Sequence, residues 1–186
     1  MFALARGTGA SRPCRGLRAC AYEALATDAL AAPQLGRKGR PQKADGLLAL
    51  WSDTQPEVRD AHAYQVDEVL HWDDEVPTRL VAFYFVRRRP DLSLDAFRAR
   101  YHDGHAPVAR VQHPGLRRYV QNFVTQVGEG APHWDAIAQL HFESEETFRE
   151  RFYRDDRSPA IVAEDIREFA DLTTGFALVT LEREPV

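Results

Sequence analysis

The chain has 186 residues, of which 44% are hydrophobic and 10% aromatic, and a formal net charge of -4. That length suits one ordinary domain or two small units sharing a core, and the acidic balance lacks the basic footprint of a nucleic-acid binder. No apolar run approaches the roughly 18 residues that span a bilayer, so neither nucleic acid nor membrane is expected as a partner.

Residues 1–45 scatter Gly, Pro and Arg, as in "GRKGRPQ" at 36–42, and are expected to be weakly ordered. The first 20 residues carry Arg6, Arg12, Arg15 and Arg18 with no acid, yet they hold no apolar core of secretory-signal length. Cys14 and Cys20, the only cysteines, argue against a disulfide framework and for a reducing, cytoplasmic setting. Lys38 and Lys43 are the only lysines among 24 basic residues, an arginine bias that fits a GC-rich bacterial genome.

"DGLLALW" at 45–51 reads as a buried strand, a short apolar run bounded by turn formers. "DTQPEVRD" reads as a loop, and the alternating "AYQVDEVLHW" at 63–72 as a partly exposed strand. From residue 78, "RLVAFYFV" is a long β-type run ended by Arg87, Arg88, Arg89 and Pro90. Ser93 can cap a helix whose apolar positions Leu94, Phe97, Tyr101, His105 and Val108 follow spacings of three and four, and "HPG" at 113–115 stops it. Pro107 cannot donate its amide to the carbonyl of Asp103, which predicts a kink at Gly104 and a new helical segment after it. "LRRYVQNFV" at 116–124 and the alternating "HWDAIAQLHF" at 133–142 read as strands. Ser144 opens the helix "EETFRERFY", and "GFALVTLE" is the last strand. The order strand, helix, strand, strand, helix, strand predicts an α+β, ferredoxin-like antiparallel sheet with helices on one face.

The segments "LSLDAFRARYHDGHAPVAR", "GLRRYVQNFV", "WDAIAQLHFESEETFRE" and "EDIREFAD", in that order, resemble the EthD domain of the dimeric α+β barrel superfamily. The resemblance implies a complete EthD-like unit over 76–186. Some such chains carry two units, and "ADGLLALW" with "AYQVDEVLHW" resembles the end of a shortened, degenerate first unit over 1–75. A sheet with helices on one face leaves its other face bare, so a second face is expected to cover it. That gives a dimeric or pseudo-dimeric barrel, with a homodimer as the expected assembly and a cavity for a small molecule between the two faces.

On the strand at 133–142, Trp134, Ala136, Ala138, Leu140 and Phe142 form an apolar face expected to meet the helices. Asp135, Ile137, Gln139 and His141 then face the barrel interior, or solvent if that side is wet. His105 lies on the apolar side of its helix with Tyr101, where an imidazole can move protons near neutral pH or simply sit satisfied in the core. Tyr101 and Tyr119 are either oxygen-orienting donors or core aromatics. Gln121 and Asn122 lie on opposite faces, and only one can look into a barrel. "HDGH" at 102–105 matches no zinc spacing, so no metal is expected.

The resemblance implies an EthD-type protein, binding an oxygenated organic compound and working by cofactor-free acid/base chemistry as a lyase or isomerase in a degradative or tailoring pathway. His105, Tyr101 and His141 would be the catalytic groups, with Tyr119, Gln121, Asp135 and Gln139 binding the substrate. A non-catalytic binding or accessory protein is the second reading, favoured if large apolar chains fill the barrel. A haem-dependent monooxygenase-like protein is the third.

Overall fold

The structure, a computed structural model, describes residues 2–6, 18–24, 46–51 and 61–183. Its strands are β1 (Phe2–Arg6), β2 (Arg18–Ala24), β3 (Gly46–Trp51), β4 (His62–Asp73), β5 (Leu80–Val86), β6 (Arg118–Val127), β7 (Ala136–Phe142) and β8 (Phe176–Arg183). The helices are α1 (Leu94–Ala99), α2 (Ala106–Gln112), α3 (Glu145–Arg151) and α4 (Ser158–Arg167), with a π-helical turn over Arg100–His105 joining α1 to α2. The expected loop "DTQPEVRD" lies outside the described residues. β1 and β2 form within the stretch expected to be weakly ordered, whose remainder lies outside the description. The sequence signal there was weak because the pairing is long-range: β1 runs parallel between β3 and β4, and β2 antiparallel between β3 and β8. Both edges of each short strand are thereby hydrogen-bonded.

The sheet order is β1-β3-β2-β8-β5-β7-β6-β4, closed into a barrel. Its antiparallel centre, β8-β5-β7-β6, follows the expected α+β, ferredoxin-like pattern. β4 extends that centre along β6, with register shifts between Gln65 and Val66 and between Leu70 and Trp72. The eight strands close within one chain, so β1 to β4 supply the second face that the sequence left to come from either this chain or a second copy.

Period-two alternation divides the apolar residues into two cores. One fills the barrel: Val81, Phe83 and Phe85 of β5 meet Val124, Ile137, Leu178 and Tyr64. The other lies between sheet and helices, where Leu80, Ala82, Ala138, Leu140 and Phe142 meet Phe97, Tyr101, Phe148, Phe152 and Phe169. Every residue of β7 is buried, so neither of its faces is wet. Trp134 was expected with the helices but packs inside the barrel, its ring 5.8 Å from Phe85. β7 begins only at Ala136, and the bend at Asp135 breaks the alternation that placed Trp134.

Ser93 caps α1 by accepting the Ala96 N–H at 3.2 Å, and Ser144 caps α3 by accepting that of Thr147 at 3.1 Å. The sequence suggested one helix after β7, whereas the structure has two. The carboxylate of Asp155 accepts the N–H of Ser158 at 3.0 Å and Pro159 occupies the first turn, so the chain restarts as α4. Gly104 lies within the π-turn over Arg100–His105. The disturbance is spread over the π-turn, after which α2 begins with Pro107 in its first turn, where a missing N–H costs nothing. Of the expected apolar positions Leu94 is exposed and Val108 half-buried, while Ala109 takes the inner place.

Candidate functional site

A cavity of about 300 Å³ lies between the sheet and the helices. The expectation put it inside the barrel, but there the large side chains of β5, β7 and β8 occupy the space. The cavity is bounded by Tyr84, Ala138 and Leu140 on the sheet and by His105, Val162 and Phe169 on the helical side. Tyr101 and Tyr119 also line it, as do His113 at the end of α2 and Arg167 at the end of α4. Arg167 is the one permanently charged side chain on this wall and makes no ion pair among the described residues.

His105 is the polar centre of the site. It is 7% exposed, in ring contact with Tyr101 at 5.4 Å and Phe169 at 5.2 Å, and its Nδ1 lies 2.5 Å from Oδ2 of Asp165. The other carboxylate oxygen of Asp165 accepts from Arg100 at 2.5 Å, and Arg100 also reaches Glu168 at 3.3 Å. Burial by itself would raise the Asp165 carboxyl, but the hydrogen bonds from His105 and Arg100 outweigh it and hold the group below its ordinary range. Asp165 is therefore a carboxylate, and Nδ1 of His105 carries the proton it accepts. With the hydrogen on Nδ1 facing the carboxylate, Nε2 is the ring atom left to accept a proton, the arrangement of an oriented base backed by a carboxylate.

Below the tyrosines, Gln121 Nε2 donates to the Tyr101 carbonyl and to the Tyr119 hydroxyl, each at 3.0 Å, and Tyr119 donates to the Tyr101 hydroxyl at 3.5 Å. Burial, followed by the neighbouring Tyr101, pushes the Tyr119 hydroxyl well above its ordinary range, so it stays a neutral donor. The π-turn thus supplies His105, the Tyr101 ring and a carbonyl that locks Gln121 in place. His71, in the irregular stretch of β4 between Leu70 and Trp72, stacks on Tyr119 at 5.2 Å and lies 4.8 Å from the His102 ring. Burial lowers its ring below the ordinary value.

The structure brings together His105, Tyr101, Tyr119 and Gln121, the last as a support beneath the wall, and places Asn122 on the opposite face, bonded to the Ile137 carbonyl at 2.9 Å. It separates the other three candidates. Gln139 and His141 project from the face of β7 opposite Ala138 and Leu140, bonded to each other at 3.3 Å. Asp135 anchors the end of β5 instead, accepting from the Arg88 backbone at 2.9 Å and its Nε at 3.1 Å. Strand alternation had correctly put Gln139 and His141 on one face, but the open space lies behind the other. Asp165, Arg100, His113 and Arg167 went unassigned because no local spacing links α4 to the π-turn 60 residues earlier. Among the described residues, no group of three or more His, Cys, Asp or Glu is placed to hold a metal ion. No helix there is long and apolar enough to cross a membrane.

The sequence matches the EthD domain over residues 89–173. No curated protein matches the chain. Among solved structures, an ethyl tert-butyl ether D (EthD) family protein from Bacillus halodurans C-125 is 21% identical, with 58% of this chain and 99% of that one covered and a TM-score of 0.41. An anthrone oxidase-like protein is 12% identical over 65% of this chain and 54% of its own, with a TM-score of 0.44. A dimeric ferredoxin-like protein of unknown function from Thermobifida fusca YX is 16% identical over 59% and 97%, with a TM-score of 0.38. The matched span runs from before Ser93 to beyond Phe169 and so contains His105, Tyr101, Tyr119, His113 and Asp165: the site lies within the part of this chain that is similar to the EthD domain.

Proposed function

We propose that the protein binds a small oxygenated organic compound in the helix-side cavity and moves a proton on it with His105. The observation that carries this reading is the His105–Asp165 hydrogen bond at the cavity wall. With Nδ1–H committed to a carboxylate, Nε2 is the proton-accepting atom, and the imidazolium formed is stabilised by Asp165 without Asp165 taking the proton. On a carbon acid next to a carbonyl, the C–H bond breaks, its proton goes to Nε2, and the electron pair moves to the carbonyl oxygen as an enolate. The phenol hydroxyl of Tyr101, which accepts from Tyr119, is suited to donate to that oxygen. Return of the proton to another carbon gives an isomerisation, and loss of a β-hydroxyl, protonated by the His105 imidazolium so that it leaves as water while the enolate collapses to the unsaturated carbonyl, gives a dehydration, so the reading is a lyase or isomerase. A volume of about 300 Å³ sits at the small end of the roughly 300–1,000 Å³ range of ligand sites. Aromatic and aliphatic walls suit a flat ring system, and Arg167 suits an anionic substituent on it.

The packed barrel interior favours a second reading, a binding protein without turnover. The test that separates the two is deuterium exchange at the α-carbon of a panel of cyclic aryl ketones in D2O, followed by NMR. Wild-type protein is expected to speed exchange, and His105→Gln to lose about 10²–10⁴-fold of that rate while melting near the wild-type temperature. Equal exchange by both proteins rules out His105 as the base. Binding of the ketones with no exchange leaves the binding-protein reading.

A further inference from the structure

The cavity wall holds a second imidazole, and its environment is the opposite of that of His105. His113 is 4% exposed, and its ring is wedged against Phe152 at 4.7 Å and Tyr153 at 5.4 Å. Its Nδ1 lies 2.5 Å from the Phe152 carbonyl oxygen. A carbonyl has no proton to give, so the hydrogen is on Nδ1 and the tautomer is fixed. Nε2 is then a lone-pair acceptor, and among the described residues no side chain or backbone group donates to it. The open space along this ring is the cavity, so a ligand in it can supply the missing donor. Burial also pushes the ring down to about 4, so it carries no charge near neutral pH. A carbonyl behind the ring does not stabilise an imidazolium as the Asp165 carboxylate does for His105. One imidazole is built to take a proton and the other to receive a hydrogen bond without taking it.

We infer that His113 is a fixed acceptor for a hydroxyl group of the ligand, so that the cavity prefers hydroxylated rings, phenols above all, to their ethers. This rests on the cavity being the ligand site, as proposed above. The test uses 2-naphthol and 2-methoxynaphthalene, which share a ring system and differ in one donor, with the ¹⁵N-labelled full chain. The naphthol is expected to bind about five- to tenfold more tightly, the worth of one hydrogen bond, and to shift the Nε2 resonance of His113 where the ether does not. His113→Phe is expected to bring the two affinities together while the ether still binds. The Nε2 reading needs no mutant, so it holds even if that variant folds poorly. Equal affinities in the wild type, a preference that survives His113→Phe, or a neutral ring protonated on Nε2 would each overturn the assignment. If the ether perturbs Tyr101 and Phe169 but the naphthol gains nothing, His113 fails and the cavity reading stands. If neither compound perturbs those residues, both fail together.

Discussion

Replacing Asp165 tests the electrostatics of the site through stability alone. The carboxylate is 9% exposed and accepts two charge-assisted hydrogen bonds, one from His105 and one from Arg100. Such a bond is worth about 1.5–3 kcal/mol when neither partner can rehydrate. Arg100 keeps 30% of its side chain exposed and also contacts Glu168, so its share falls toward the ~0–1 kcal/mol of a surface pair. Asp165→Ala should therefore cost about 2–4 kcal/mol at pH 7. Asp165→Asn, which can still offer an oxygen to Nδ1 of His105, should cost about 1–2 kcal/mol. The folded carboxyl is held below its ordinary range, so its contribution is complete above the unfolded-state value of about 3.9 and disappears as pH falls through the lower folded value. Urea unfolding of wild type and both variants, at pH 7 and in steps below about pH 4, measures this. The gap between wild type and Asp165→Ala should close on the acid side. A cost under about 0.5 kcal/mol at pH 7, or a gap unchanged by acid, refutes the pairing.

Two further substitutions probe the layers on either side of the cavity. Phe83 is fully buried inside the barrel and is not one of the residues that line the cavity, so Phe83→Ala should cost about 3–5 kcal/mol in denaturant unfolding and leave ligand affinity unchanged. Weaker affinity in the folded variant would return the binding site to the barrel interior. A Cβ at Gly115 would meet the Arg151 carbonyl oxygen at 2.9 Å and a Thr147 methyl at 3.0 Å, where Gly115 also donates its N–H to that carbonyl. Gly115→Ala should lower the melting temperature by several degrees, the equivalent of about 1–2 kcal/mol, as read by calorimetry.

The four strands and two helices from residue 78 onward were legible because each announced itself locally. "RLVAFYFV" and "AIAQLHF" carry β-branched and aromatic runs, and Ser93 and Ser144 mark helix starts at the caps they form. β1 and β2 were not, because their backbone groups are satisfied by partners as distant as β8. The site divided in the same way. His105, Tyr101 and Tyr119 could be read from one helix and one strand, but Asp165 gains its meaning only when α4 packs over the π-turn. Alternation sorted β7 into two correct faces, yet it could not say which face borders empty space, because that depends on the size of side chains contributed by other strands.

The π-turn itself left a trace in the sequence. Phe97, Tyr101, His105 and Ala109 are spaced by four and are all inside, between 0% and 7% exposed. In an α-helix of 3.6 residues per turn each step of four overshoots one turn by about 40°, so three steps would carry Ala109 about 120° away from Phe97. A strict spacing of four stays on one face only if the helix is locally wider, and the turn over Arg100–His105 is where it widens. Pro107 fits the same geometry: its ring offers no N–H, so the helix that restarts at Ala106 has no bond to lose there. The histidine pair and the proline that follows it are thus one device. The wider turn keeps His105 aligned with Tyr101 along the cavity, while His102 points outward, 45% exposed and tied to Asp103.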